Sequence, residues 1–270
     1  MIKNAIYRHL AAKPKKLCGT LDALGIKRVV FETKYGEISI PVNSKSIIQA
    51  FLNNSYFGES EITKFHELNS SSTTLVNVGA NVGTTAKIFQ KISKYRSLIC
   101  FEPDPDNFVG LQANCGDDPS VKLHNVALGS SAGMLQLNLN PKSVGRHSFK
   151  TDFSQGFINV PVTTLDQCLA HDDQYDLYMD VEGWEIEVLK GAKSVLQNCQ
   201  LCALEWNGQL HEKEEKAEAQ TILSDAGFTG FAKLNDLTVW FELADLQDIK
   251  VQSDIVFFRE PLGSNLGKNS

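Results

Sequence analysis

An alternation that sets in near residue 75 constrains this chain most. Short apolar runs recur at Leu75–Gly79, Ser97–Glu102, Val121–Val126, Phe157–Val162, Asp176–Asp180 and Leu201–Trp206. Most are followed by stretches with helical periodicity: Thr84–Lys91, Asp106–Asn114, Thr164–Ala170 (a helical turn), Trp184–Gln197 and Glu212–Ala226. Met134–Leu139 alternates as an added strand, and Phe228–Ala232, Thr238–Glu242 and Asp254–Arg259 close the chain as strands. Strands alternating with helices predict βαβ units, hence an α/β fold with a doubly wound, mostly parallel sheet covered on both faces. Such sheets bind ligands beyond the carboxyl ends of their strands, where strand order reverses. The residues just after each strand are therefore the candidates for function.

The first 72 residues have a different texture. Arg28–Glu32 and Glu37–Val42 flank Lys34-Tyr35-Gly36 and predict a β-hairpin, and Ser46–Asn53 a short helix. The polar run Asn69–Thr74 is the best boundary. It divides an N-terminal extension, 1–72, from a main domain, 73–262, with 263–270 expected as a disordered tail. Lys+Arg number 26 against 32 Asp+Glu, a net charge of −6, which argues against a general nucleic-acid binder. No apolar run approaches the roughly 20 residues that span a bilayer. The N-terminus is basic, and Lys3, Asn4, Arg8 and His9 interrupt any signal-peptide core. It reads as a solvated leading helix, with a transit peptide or membrane-surface helix as the competing reading. The six cysteines are dispersed, mostly in apolar stretches. That pattern predicts buried thiols and a cytoplasmic protein, and Cys199/Cys202 has no second pair to make a metal or redox site.

The first strand runs into Asn77-Val78-Gly79-Ala80-Asn81-Val82-Gly83-Thr84. Small residues here let a ligand lie against the main chain, and the next helix offers its N-terminal N–H groups. The spacing is neither GxGxxG nor a P-loop, so a nucleoside without pyrophosphate suits it. An ordinary glycine-rich corner is the competing reading. Glu102 ends the second strand, followed by Pro103 and Asp104, where an acid can accept from both ribose hydroxyls. After the third strand, Asn125 is a candidate for an adenine edge beside small Ala127, or a turn residue. Asp180 and Glu182 leave the next strand, with Gly183 after them, and Glu205 ends the one beyond. Carboxylates there must be solvated, paired or metal-bound; the alternative is that one of them caps the following helix.

Together, LVNVGANVGTTAKIF, LICFEPDPDNFVGLQANC, VKLHNVALGSSAGMLQL, VPVTTLDQCL, YDLYMDVEGWEIEVLKGAKSVL and LCALEWN resemble the class I S-adenosylmethionine-dependent methyltransferases, and within them the FkbM family. YFGESEITKFHEL in the extension is similar to that family's leading segment. The resemblance implies a seven-stranded sheet with one antiparallel hairpin at its edge. It implies S-adenosyl-L-methionine held by Asn77, Gly79, Ala80, Asn81 and Gly83, by Glu102 with Pro103 and Asp104, around Asn125 and Ala127, and near Asp180. Asn77 stands where the family usually has Asp, so the charge is lost there while an acceptor oxygen is kept.

The expected reaction is O-methylation of a sugar, glycan or natural-product hydroxyl. Asp180, with Glu182 or Glu205, would take the hydroxyl proton or cradle a divalent ion; no dedicated metal ligand set is predicted. His147 is a second candidate base, because its pKa lies near neutrality. It stands in the irregular stretch Val144–Phe149, where Arg146 is a candidate for an anionic or hydroxyl-rich acceptor. Trp184 and Trp206 are candidates for stacking on a sugar ring. Two other readings remain open: an adenosyl-ligand binding protein of the same fold without activity, and an NAD-type oxidoreductase.

Overall fold

The computed structural model describes residues 14–53, 55–56, 58–68, 74–92, 95–140, 147–154, 156–170 and 173–260. The first 13 residues, the Ser/Thr run up to residue 73, Arg146 with its neighbours, and the tail from 261 lie outside the described residues.

Eight strands form the central sheet, in the order β12-β11-β13-β10-β9-β3-β4-β5. They are β3 (Thr74–Val78), β4 (Ser97–Phe101), β5 (Val121–His124), β9 (Tyr175–Met179), β10 (Cys199–Trp206), β11 (Gly230–Lys233), β12 (Asp236–Glu242) and β13 (Ser253–Phe258). Strands β10, β9, β3, β4 and β5 are mutually parallel. Strand β13 runs antiparallel between β10 and β11, and β12 returns antiparallel along β11. The α/β, mostly parallel class follows the alternation in the sequence. The count is eight, because the β11–β12 hairpin contributes both of its strands. β3 and β9 are buried throughout, as a sheet covered on both faces requires.

Two expected strands belong elsewhere. β7 (Gly133–Asn138) and β8 (Phe157–Thr163) pair with each other and with β6 (Ala127–Leu128) in a separate three-stranded sheet. The expected strand Val121–Val126 thus stops at His124, and the chain enters the second sheet at Ala127. Helices α4 (Thr84–Ile92) and α5 (Pro105–Cys115) follow β3 and β4, and α9 (Lys213–Asp225) follows β10. The expected helix Trp184–Gln197 is two, α7 (Glu185–Lys190) and α8 (Lys193–Gln197). The second begins where Asp166, at the start of α6 (Leu165–Cys168), accepts the Ser194 and Val195 N–H groups at 2.9–3.1 Å. A carboxylate from outside the helix thereby satisfies its free N–H groups.

The extension builds a small core of its own. α1 (Pro14–Ala23), the hairpin β1–β2 (Arg28–Thr33, Gly36–Pro41) and α2 (Lys45–Leu52) bury Phe31, Ile38, Ile40, Ile48 and Phe51 together. α3 (Glu59–Leu68) instead joins the main core, where Phe65 packs edge-on against Phe89 and Tyr178. All six cysteines are free thiols, five of them buried. No helix among the described residues is long and apolar enough to cross a membrane.

Candidate active site

Strand order reverses between β3 and β9, so their tips flank the crevice where a doubly wound sheet binds ligands. A cavity of about 680 Å³ opens there, within the range of small-molecule sites. Its two ends differ in chemistry.

At one end stands Glu102. It is buried, with Oε2 accepting the Asn81 N–H at 2.8 Å and Oε1 the Asp104 N–H at 2.9 Å. Burial pushes its carboxyl up to about 7, against the pull of those N–H donors. Gly79, Asn81, Glu102 and Pro103 line the cavity with Thr84, Thr85 and Asn107. Gly79 has φ +80°, and a Cβ there would lie 1.8 Å from the Asp180 carbonyl oxygen. Glycine is thus required by backbone passing backbone. Asp104 is turned away to cap α5, accepting the Asn107 N–H at 2.9 Å.

The other expected donor-site residues do not line the cavity. Asn77 lies inside β3, 2% exposed, beside Cys100 and Tyr178 in register, and its Nδ2 finds no partner. Ala80 is buried, Gly83 packs on Leu111, and Ala127 belongs to the core of the small sheet. Asn125 uses Nδ2 to donate to the carbonyls of Glu102 and Pro103, at 2.8 and 3.1 Å, and so braces that loop.

At the other end, Asp180, Glu182 and Glu205 hold carboxylate oxygens within 4.8 Å of one another. Asp254 pairs in register with Glu205 and also lines the cavity, as do Glu61 and Tyr178. Asp180 is exposed and lines the cavity, so its carboxyl is reachable. Burial, then the charges of Glu205, Glu182 and Asp254, raise it well above the ordinary range. Burial with Glu205 and Glu61 pushes Asp254 up to about 7. Carboxylates this crowded cannot all stay ionised at neutral pH. Neither Asp180 nor Glu182 caps α7, whose N-cap is Trp184 with no side-chain cap bond.

His147 lines the cavity but does not have the geometry of a base. Its Nδ1 accepts the Asn140 N–H at 2.9 Å, and Nε2 lies 3.6 Å from Asp104 Oδ2. The nitrogen lone pair that a base needs is already occupied, and burial lowers its pKa. Trp184 donates Nε1–H to the Leu128 carbonyl and packs on Phe149; Trp206 is fully buried against His211. Neither tryptophan lines the cavity, whereas Phe149 and Tyr178 do.

Reading strand tips missed Asp254 for a geometric reason: β13 is antiparallel, so its start, not its end, reaches the site. Glu61 was missed because it comes from the extension. Tyr178 carried a usable signal, since it is two residues before Asp180 and so on the same face of β9.

Residues 77–229, more than half of the chain, match the Methyltransferase FkbM domain family; the chain belongs to that family. It is 30% identical over 164 residues to "Hexuronic acid methyltransferase AglP" of Haloferax volcanii, covering 60% of this chain and 66% of that protein. It is 25% identical over 156 residues to "2-O-methyltransferase NoeI" of Sinorhizobium fredii, covering 50% of this chain and 63% of that protein. The chain therefore spans just under two thirds of the length of these curated relatives. Among solved structures it resembles a putative methyltransferase of Haloferax volcanii in complex with the Trm112 activator, with 11% identity, TM-score 0.43, and 75% and 89% of the two chains covered. It also resembles Aeropyrum pernix fibrillarin with bound S-adenosyl-L-methionine, with 13% identity, TM-score 0.42, and 85% and 82% covered.

Proposed function

We propose that this protein transfers a methyl group from S-adenosyl-L-methionine to a hydroxyl of an uncharged sugar or glycan. The observation that carries the reading is one cavity with Glu102 and the Gly79–Asn81 main chain at one end and the Asp180–Glu182–Glu205 cluster at the other. The printed names of the two relatives, one a hexuronic acid methyltransferase and one a 2-O-methyltransferase, support a sugar as the acceptor; the first names an acidic sugar, so the uncharged acceptor proposed here rests on the cavity lining and not on the relatives.

The donor end fits an adenosyl group: a buried carboxylate beside open main chain suits ribose hydroxyls, with two threonines at the start of α4. When bound, the cofactor supplies a methyl carbon on a positively charged sulfur that departs as a neutral thioether. Everything else falls to the chain. Gly79, Asn81 and Glu102 hold the nucleoside end, and Phe149 and Tyr178 form aromatic walls. A hydroxyl is a poor nucleophile while protonated. Asp180, when ionised, accepts that proton as the oxygen gains the methyl group, its proton affinity raised by burial and by its neighbours. Glu182 and Glu205 fix the hydroxyl and sustain the raised affinity. Holding acceptor and methyl carbon in line supplies much of the acceleration.

The acceptor's charge follows from the lining. Glu61, Glu102, Asp180, Glu182, Glu205 and Asp254 face the cavity, and no Lys or Arg does among the described residues. A carboxylate or phosphate on the acceptor would meet no Lys or Arg among the described residues and would add to a lining already crowded with acids.

The test is calorimetry with S-adenosyl-L-methionine, then radiolabelled methyl transfer to a panel of neutral saccharides. Asp180→Ala is expected to bind the cofactor normally and lose roughly 10²–10⁴ in turnover. Full turnover in that variant would refute the base assignment, and cofactor binding without any transfer would favour the binding-only reading. The three carboxylates also offer the oxygen ligands a divalent cation takes. Loss of turnover on chelation, restored by magnesium, would move activation of the hydroxyl onto the metal.

A further inference from the structure

Beneath the carboxylate cluster lies a buried carboxylate–imidazole pair that the mechanism above does not use. Glu185 is wholly buried and His211 is 6% exposed. Glu185 Oε2 lies 3.1 Å from His211 Nε2, while Oε1 accepts the Gly183 N–H at 2.9 Å. Gly183 follows Glu182, and the two take consecutive left-handed conformations, φ +93° and +50°. A glutamate rarely adopts that conformation unless its surroundings impose it. A second tie comes from the opposite wall. Ser148 Oγ donates to the Glu182 carbonyl at 2.9 Å and accepts the N–H groups of Lys150 and Thr151 at 3.1 Å. His211 is braced in turn by the Trp206 ring, 4.7 Å away, and Lys150 Nζ lies 3.5 Å from its Nδ1 while bonding Glu215.

These contacts join three segments. Glu185 opens α7, directly after the segment that carries Asp180 and Glu182. His211 belongs to the loop that leaves β10 just after Glu205. Ser148 sits between His147 and Phe149. A buried polar pair of this kind is weak evidence for stability, since an apolar pair of the same volume often does as well. Its placement has another use. We infer that Glu185 and His211, with Ser148, are positioning residues that set the spacing of Glu182 against Asp180 and Glu205, and so aim the acceptor hydroxyl. This rests on the methyltransferase reading and deepens it.

The experiment uses the full chain, radiolabelled S-adenosyl-L-methionine, and whichever neutral disaccharide the wild type methylates. Glu185→Ala and His211→Ala are expected to lower kcat roughly 10–100-fold with cofactor affinity nearly unchanged. Glu185→Gln, which keeps an oxygen for the Gly183 N–H, should recover most of that loss. Wild-type kcat in both alanine variants, or a kcat loss matched by an equal loss of cofactor binding, overturns the proposal. If the alanine variants do not fold, Ser148→Ala carries the test alone: a lower kcat at unchanged cofactor affinity supports positioning, and wild-type values overturn it. If the wild type methylates nothing, the methyltransferase reading has failed separately. A crystal structure of Ser148→Ala then decides: Glu182 displaced relative to Asp180 and Glu205 supports positioning, and an unmoved Glu182 overturns it.

Discussion

Replacing Glu102 by Gln gives the sharpest test of the donor end. The wild-type carboxyl is pushed from its ordinary 4.5 to about 7 by burial. The folded state therefore holds this proton more tightly than the unfolded chain does. As pH rises from about 4.5 to about 7, the folded state carries more protons than the unfolded one, so stability falls through that window. The full difference amounts to about 3 kcal/mol, reached above pH 7 and absent below the unfolded pKa. Glutamine has no such titration. It does point an amide NH2 at one of the two backbone N–H groups that Glu102 accepts, a constant cost of about 1–3 kcal/mol. Urea unfolding should thus find the variant less stable than wild type near pH 4.5, with the gap closing or reversing by about pH 8 as the difference shifts by about 3 kcal/mol. Ribose hydroxyls donating to the carboxylate favour its ionised form. Wild-type cofactor binding at about pH 6 should then release a proton, and the variant should release none. Calorimetry in buffers of different ionisation enthalpy reads this directly. A stability difference independent of pH, together with no proton release, would refute the assignment.

Three further outcomes follow from the same geometry. Gly79→Ala places a methyl group against the Asp180 carbonyl in a left-handed conformation, so it should cost about 2–4 kcal/mol; a melting temperature equal to wild type would contradict the close approach. A neutral hexose acceptor should be methylated faster than the matching uronic acid, compared by kcat/KM at about pH 8 where the lining is most negative; equal values would show that charge in the cavity does not select. Asp254→Asn should raise stability relative to wild type above about pH 7, because burial beside Glu205 and Glu61 raises the folded-state pKa to about 7; a variant that loses stability on the alkaline side would disprove the crowding.

The alternation of strands and helices made the parallel core legible, because strands buried on both faces must read as short apolar runs. The carboxylates after β9 and at the end of β10 were legible for the same reason: charge at the end of an apolar strand stands out. What stayed hidden depends on partners distant in sequence. Val121–Val126 looks continuous, yet its last residues lead into β6 and a different sheet. Asn125 and His147 are plausible ligands in a sequence, but each is engaged by main chain that only the fold brings near. Glu185 is one charged residue among several on a helix start, and nothing local shows that His211 waits 26 positions on.

The contact between Gly79 and the Asp180 carbonyl gives the two halves of the cavity a common fulcrum. The span from nucleoside to proton acceptor is then a fixed ruler that no side chain can lengthen. Relatives that act on larger or smaller saccharides would have to be retailored elsewhere in the lining, to which the extension contributes Ser46, Ile47 and Glu61. That makes the first sixty-odd residues the natural place to graft a new acceptor preference.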